Sequence, residues 1–149
     1  MSRKRENVRQ CKAIRQLIDD NKYTKALELI DAIPLEEVGS LDDLYRYAEL
    51  YEKAERMDKK KEIFYHIYHR THSRYMLNRL LRLTIRMGDM EEARELYFAY
   101  EVAGPITLDT FELRYLLAKA EGEPPERLIQ ILEELKKEEY TEELSLIHI

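Results

Sequence analysis

The sequence predicts an all-α protein, and three observations support this. Alanine, leucine, glutamate, lysine and arginine dominate the chain, and these residues have high helix propensity. Only four glycines and four prolines occur in 149 residues, so turns are few and the elements between them are long. Apolar side chains recur at spacings of three and four almost throughout, which is the period of an amphipathic helix. With 44% hydrophobic residues the chain can bury a core, which excludes a disordered protein.

Turn-forming residues divide the chain into eight helical segments of about 11 to 16 residues and the start of a ninth, lengths typical of globular helices. The breaks are expected near Asn21, 34–40, Asp58, 71–73, Gly88, Gly104-Pro105, Gly122 and Tyr140.

Several helix starts are marked by capping residues. Ser40 precedes an apolar run and has Asp43 three positions later, the pattern of an N-cap with an acid near the positive end of the helix dipole. Asp89 and Glu92 have the spacing of a capping box, with Asp in the place of Ser or Thr. Thr107 is expected to begin the seventh helix.

The inner turns of successive helix pairs repeat one pattern: DNKYTKALELI, MDKKKEIFYHIY, GDMEEARELYFAY and GEPPERLIQIL. Asn21, Asp58, Gly88 and Gly122 align at one position of this pattern, at uneven intervals along the chain. In each repeat a longer helix precedes the turn and a second helix follows it. Units of this kind that recur about every 34 residues predict a stacked α-solenoid, here of about four antiparallel helix pairs.

Two of these stretches carry a more specific pattern. GDMEEARELYFAY supplies Gly88, Asp89, Ala93, Tyr97 and Tyr100. NKYTKALELIDAIP supplies Tyr23, Ala26, Ile30, Ile33 and Pro34. The chain thereby resembles the tetratricopeptide repeat (TPR) family, whose second helix opens with a turn glycine, an acid, an aromatic residue and, five residues after the glycine, an alanine.

The resemblance implies a TPR-like right-handed superhelix over residues 5–140. The implied repeats are 5–34, 41–71, 73–104 and 107–139, preceded by a flexible basic stretch at 1–4. The family places a small residue midway through each first helix, whereas this chain has larger residues there. Regular packing angles are therefore not expected here. The residues that this chain has at that position are Ile14, Tyr51, Leu81 and Tyr115.

The C-terminal stretch 141–149 begins like a further first helix, with Thr141 as its cap. It leaves several apolar side chains in a helix too short to bury them, whereas a solenoid ends in a helix with a polar outer face. The ending LSLIHI also resembles translated sequencing-adapter read-through. We therefore interpret residues 145–149 as non-native and expect the natural protein, of bacterial origin, to continue.

No glycine-rich phosphate loop, His-Glu-x-x-His, Gly-x-Ser-x-Gly or Cys-x-x-Cys motif occurs in the chain. His66, His69 and His72 have a spacing that allows metal binding from one helix face, but the nearby sequence lacks Cys, Asp or Glu ligands. Cys11 is the only cysteine and is expected to be a buried packing residue. We expect no enzymatic activity, no cofactor and no metal.

Charge is distributed unevenly along the chain. Residues 1–65 hold 14 basic and 14 acidic side chains, residues 66–87 hold five arginines and no acid, and residues 88–149 hold six basic and 16 acidic side chains. The net charge of −5 argues against a general nucleic-acid binder. A basic segment therefore lies between a neutral and a strongly acidic one.

The basic segment SRYMLNRLLRLTIRMG is amphipathic. Leucines and methionines, among them Met87, form its apolar side. By the resemblance, first helices line a concave surface on which the polar positions contact ligands. Arginine suits paired contacts with carboxylates, and tyrosine adds contact area at low entropic cost. We predict a groove for an acidic peptide or helix, formed by Tyr45, Tyr75, Asn78, Arg79, Arg82 and Arg86.

The alternative is a structural role for these arginines. Glu49 and Glu52 on the preceding first helix are placed to pair with Arg79 and Arg82. Such exposed pairs stabilise a stack of helices by about 0–1 kcal/mol each.

The expected function is a non-catalytic, cytoplasmic scaffold or adaptor that binds a protein or peptide, with its oligomeric state left open. The chain has no run of about 18 apolar residues to span a membrane, and its basic start lacks an apolar signal region. A second hypothesis is the sensor or oligomerisation region of a transcription regulator whose DNA-binding domain is absent here. RNA binding is disfavoured because the positions that would read bases change from Arg15 to Glu52 to Arg82 to Leu116.

Overall fold

The computed structural model describes the backbone of residues 2–147 and the side chains of residues 4–142. Over this range the chain forms eight α-helices, one short 3-10 helix at Leu35–Glu37 and no strand, which confirms the predicted all-α class. The α-helices are α1 (Ser2–Asp19), α2 (Tyr23–Ala32), α3 (Leu41–Lys53), α4 (Met57–Thr71), α5 (Arg74–Met87), α6 (Met90–Val102), α7 (Leu108–Ala120) and α8 (Pro125–Ile147).

The chain consists of two compact units, Met1–His72 and Ser73–Ile149. In the first unit α1 packs against α2, α2 against α3, and α3 against α4. In the second unit α5 packs against α6 and α7 against α8, while α7 also contacts both helices of the preceding pair. Each unit therefore contains two helix pairs that pack on each other.

Both units have an apolar core built from the helix stripes that the periodicity predicts. Burying a large aliphatic or aromatic side chain stabilises a fold by about 1.5–3 kcal/mol, so these residues hold the pairs together. In the first unit the largest buried side chains are Ile14, Leu44, Tyr47, Ile63, Phe64 and Ile67. In the second unit they are Met76, Leu80, Leu81, Leu113 and Ile131.

The same turn joins the two helices of every pair. Asn21, Glu55, Gly88 and Gly122 all have left-handed backbone conformations, with φ of 59°, 58°, 78° and 76°. At each turn the left-handed residue donates its N–H to a carbonyl three residues back, and the next residue donates to one five residues back. This is the Schellman motif, which satisfies carbonyls at the end of a helix. The turns recur at nearly equal intervals of about 34 residues.

The alignment of Asp58 with the other three turn residues was therefore wrong. Asp58 is the second residue of α4, and the left-handed position belongs to Glu55. A residue other than Gly or Asn pays about 1–2 kcal/mol in this conformation and is rarely found there, so Glu55 gives no turn signal in the sequence. Packing between α3 and α4 imposes the turn on an unfavourable residue, and the resulting repeat is more regular than the sequence alignment indicated.

The corrected turn position also changes which residue lies midway through α3, the first helix of the second pair. The residue seven positions before Glu55 is Ala48, which is buried. Counting from Asp58 had given Tyr51 instead. At the equivalent places Ile14 and Leu81 are fully buried. The second repeat thus has the small residue that the TPR pattern prefers.

The predicted caps are realised in part. Ser40 caps α3, since its hydroxyl accepts from the backbone N–H of Asp43 at 3.4 Å. Thr107 precedes α7, and its own N–H donates to the hydroxyl of Thr110 at 3.1 Å. At Asp89, where a capping box was expected, ψ is 77°, outside the extended region usual for a cap, and the Asp89 side chain makes no capping hydrogen bond.

The break expected at Tyr140 does not occur, because α8 continues to Ile147. The stretch around it contains no glycine or proline, and its residues are mostly good helix formers. The hydroxyl of Thr141 donates to the carbonyl of Lys137 at 2.9 Å, one turn back, and so it does not cap a new helix. The side chains of residues 143–149, and the backbone of 148–149, lie outside the described residues.

Candidate protein-binding surface

Helix α5 has the two sides that the sequence predicts, with two exceptions. Met76, Leu80 and Leu81 are fully buried, whereas Tyr75 is 57% exposed. Met87, assigned to the apolar side, is exposed near the helix end. The second exception is Asn78.

Asn78 was predicted to contact a ligand, but it is only 9% exposed and instead holds a neighbouring side chain in place. Its side-chain carbonyl accepts from Nε of Arg82 at 2.7 Å. On the other side of the guanidinium, Nη2 of Arg82 lies 3.2 Å from the carboxylate of Glu112 on α7. One hydrogen bond at Nε and one ion pair at Nη2 thus orient Arg82.

Arg79 is held by Tyr75, one turn earlier on the same helix. Its Nη1 donates to the Tyr75 hydroxyl at 2.9 Å, and its guanidinium carbon lies 5.6 Å from the centre of the ring. Arg79 is half-buried, and Arg86 is exposed two turns further along α5. We call Tyr75, Arg79, Arg82 and Arg86 the arginine strip.

Arg74, the first residue of α5, anchors the second unit internally. Its Nε and Nη1 donate to the backbone carbonyls of Tyr100 and Pro105 at 3.0 and 2.8 Å. Its guanidinium carbon lies 4.0 Å from the centre of the Tyr100 ring. Gly104 makes this possible, since a Cβ at that position would lie 2.8 Å from Nη1 of Arg74.

Arg70 has a comparable structural role in the first unit. Its guanidinium donates to the backbone carbonyls of Leu35, Val38 and Gly39 and closes the connection between α2 and α3. Of the five arginines in the acid-free stretch, two therefore stabilise loops. The sequence reasoning missed this, because the accepting carbonyls are 26 to 35 positions away and leave no pattern in the sequence.

The remaining predicted residue, Tyr45, belongs to the first unit, where it is half-buried on α3. Counted back from the turn residue Glu55, Tyr45 takes the place that Asn78 has relative to Gly88. The sequence alignment had matched Tyr45 to Tyr75 instead. On the same helix Glu52 pairs with the buried Lys60 of α4 at 3.1 Å. Lys60 occupies the position where the TPR pattern has an alanine, five residues after the turn.

The first unit also contains a polar cluster that sequence reasoning did not find. The Asp31 carboxylate accepts from the hydroxyl of Tyr51 and from Nη1 of Arg56, at 2.9 Å for the nearer oxygen. These hydrogen bonds and the arginine charge lower the pKa of Asp31, while burial and the Asp31 bond raise the pKa of Tyr51. The cluster borders a cleft of about 330 Å³ between the end of α2 and the helices α3 and α4.

Among the described residues no group of three His, Cys, Asp or Glu side chains is arranged to hold a metal ion. His69 and His72 lie against the ring of Tyr68, with centroids 5.7 and 6.1 Å apart. Burial and the charge of Arg70 lower the pKa of His66. Over the described part of the chain, no helix combines the length and apolar character that a membrane span requires.

The chain was also compared with known proteins. No protein-family model matches it, and the search of curated proteins and the search of solved structures both found no match.

Proposed function

We propose that the chain is a TPR-like α-solenoid that acts as a non-catalytic protein-binding module. Left-handed turns at nearly equal intervals support the repeat, because the TPR period of about 34 residues matches them. Within each unit, two helix pairs pack on each other, as stacked repeats require. Ala26 and Ala93, five residues after two of the turns, are fully buried, as the TPR pattern expects.

The ligand of this module is an acidic peptide that binds the arginine strip. One observation favours this chemistry: the Glu112 carboxylate already lies 3.2 Å from Arg82, so a carboxylate of the chain itself uses part of the strip. Helix α5 carries four arginines and no acid, which gives the strip a positive potential. Asn78 holds one guanidinium in a fixed orientation, which lowers the entropic cost of binding a partner.

Selection from a peptide-display library tests the proposal. The wild-type protein is expected to enrich sequences rich in Asp and Glu. The Arg79→Glu/Arg82→Glu variant should bind the selected peptides at least about tenfold more weakly, since it replaces attraction by repulsion. The matched control is Arg94→Glu/Arg127→Glu, which makes the same change of charge at two exposed arginines of the same unit.

Replacing Glu112 should have the opposite effect and raise the affinity for an acidic peptide. An exposed ion pair contributes about 0–1 kcal/mol, so Glu112→Gln should release Arg82 and tighten binding of an acidic peptide by up to about fivefold. The affinity should also fall as salt is added, because exposed charges are screened. Enrichment of peptides without acidic bias, or equal loss in the control variant, would contradict a role for the arginine strip.

A further inference from the structure

A second surface of the molecule is apolar and lies outside the arginine strip. Phe98 and Val102 are each 71% exposed on α6, one turn apart, and Ile106 is exposed in the connection that follows. Phe98 and Val102 share one face of the helix and form a ridge that water contacts directly. Exposed apolar surfaces of this kind mark sites of protein association.

Acidic residues border this ridge. Glu91 and Glu95 precede Phe98 by two turns and one turn, and Glu101 lies beside Val102. Counting all its ionisable residues, α6 carries four glutamates and one arginine, a net charge of −3. That arginine, Arg94, is already paired with Glu121 at 3.4 Å. A partner for the ridge therefore needs an apolar surface with positive charge around it.

Helix α1 of this protein presents such a surface. Its described residues 4–19 carry five basic and two acidic side chains, a net charge of +3. A shallow hollow of about 440 Å³ lies among Lys4, Arg5, Val8 and Arg9, and most of its lining is apolar. Val8 is an aliphatic residue within α1, yet its side chain is 62% exposed.

We propose that the protein associates with a second copy of itself by placing the Phe98–Val102 ridge of one copy in the α1 hollow of the next. The Phe98 ring can pack there on Val8 and on the aliphatic stems of the neighbouring basic side chains. The arginines beside the hollow then face the ring and the glutamates that border it, which gives cation–π and ion-pair contacts together. The basic side chains around the hollow and the glutamates around the ridge are opposite in charge.

This contact joins two different surfaces, so it leaves one ridge and one hollow open in every dimer. Such heterologous contacts build rings or open chains, and the mean mass should rise with concentration beyond that of a dimer. The proposal does not depend on the proposed peptide binding, because it uses neither the arginine strip nor Glu112.

Sedimentation velocity on the full chain, from about 1 μM to about 1 mM, tests the proposal over the range of weak to moderate affinity. Phe98→Glu and Arg5→Glu/Arg9→Glu should each weaken the association at least about tenfold, as expected for the centre of an interface. Both variants should fold normally. Phe98, Arg5 and Arg9 are all exposed, so their replacement leaves the core intact.

A mixture of the two variants separates this contact from other modes of association. The Phe98→Glu protein keeps an intact hollow, and the Arg5→Glu/Arg9→Glu protein keeps an intact ridge. Their equimolar mixture should therefore form a dimer and no larger species. Matched controls are Ile129→Glu, at an exposed apolar residue of α8, and Lys22→Glu/Lys25→Glu, at two exposed lysines near the start of α2.

Three results would overturn the proposal. The first is a wild-type protein that stays monomeric over the whole range, which would leave the ridge for a different basic partner. The second is association that survives in either variant or is lost equally in the controls. The third is a mixture that stays monomeric although both single variants have lost association, because the two surfaces would then not meet.

Discussion

Replacing Glu55 by glycine should stabilise the protein. Glu55 has φ of 58°, in the region where an L-residue pays about 1–2 kcal/mol relative to glycine. Glycine in turn loses more backbone entropy on folding, which offsets about 0.5–1 kcal/mol of this gain. Because the Glu55 side chain is exposed, its removal leaves no cavity. The net gain in the free energy of unfolding is about 0.5–1 kcal/mol, or about 1–4 °C in Tm for a protein of this size.

Urea denaturation followed by circular dichroism measures this change, and the other turns supply controls. Gly88→Ala and Gly122→Ala should each lower the free energy of unfolding by about 1 kcal/mol. The cost there is one of backbone conformation, since a Cβ at either glycine has no atom within 4 Å. Asn21→Gly should change stability less than Glu55→Gly, because Asn tolerates the left-handed region. A neutral or destabilising effect of Glu55→Gly would refute the left-handed turn and, with it, the regular spacing of the repeats.

Two further predictions concern single contacts. Gly104→Ala should lower the free energy of unfolding by about 0.5–1.5 kcal/mol, because its Cβ would lie 2.8 Å from Nη1 of Arg74 and the arginine would have to give up a hydrogen bond to move away. Gly39→Ala, with no atom within 4 Å of its Cβ, should not have this effect; equal effects in thermal denaturation would argue against the Arg74 anchor. Asp31, whose pKa is lowered from 3.8 chiefly by the Tyr51 hydrogen bond, adds stability that is present above its unfolded-state pKa and is lost as the pH falls through its lower folded-state pKa. Wild type should therefore exceed Asp31→Asn in stability at pH 7, and denaturation at decreasing pH should show the difference shrinking below about pH 4; a difference that grows on acidification would contradict this linkage.

Local signals in the sequence predicted the helices, caps and turns that interactions between neighbouring residues decide. The apolar period of three to four residues predicted helices almost throughout, and over residues 2–147 the structure has them. Ser40 with Asp43 marked the start of α3, and Gly88 and Gly122 marked two turns, because a cap or a left-handed position is decided within one helical turn. The same reasoning failed at Glu55, where the conformation opposes the preference of the residue.

The roles of the arginines depended on contacts that are distant in sequence. In the sequence, Arg70, Arg74, Arg79 and Arg82 are alike: basic, helical and without an acid nearby. Packing assigns the first two to loop carbonyls, and it leaves Arg79 and Arg82 on the outer side of α5. No local rule separates these outcomes, because the acceptors are brought close only when the helices pack.

The sequence alone thus determined the helical class and most helix boundaries. Tertiary structure decided the register of the second repeat, the burial of Asn78 and the partner of Arg82. The physical reason is the range of the interactions involved. Propensity, capping and periodicity act over three or four residues, whereas an ion pair such as that of Arg82 with Glu112 joins two helices that are distant in the chain and exists only after the core has formed.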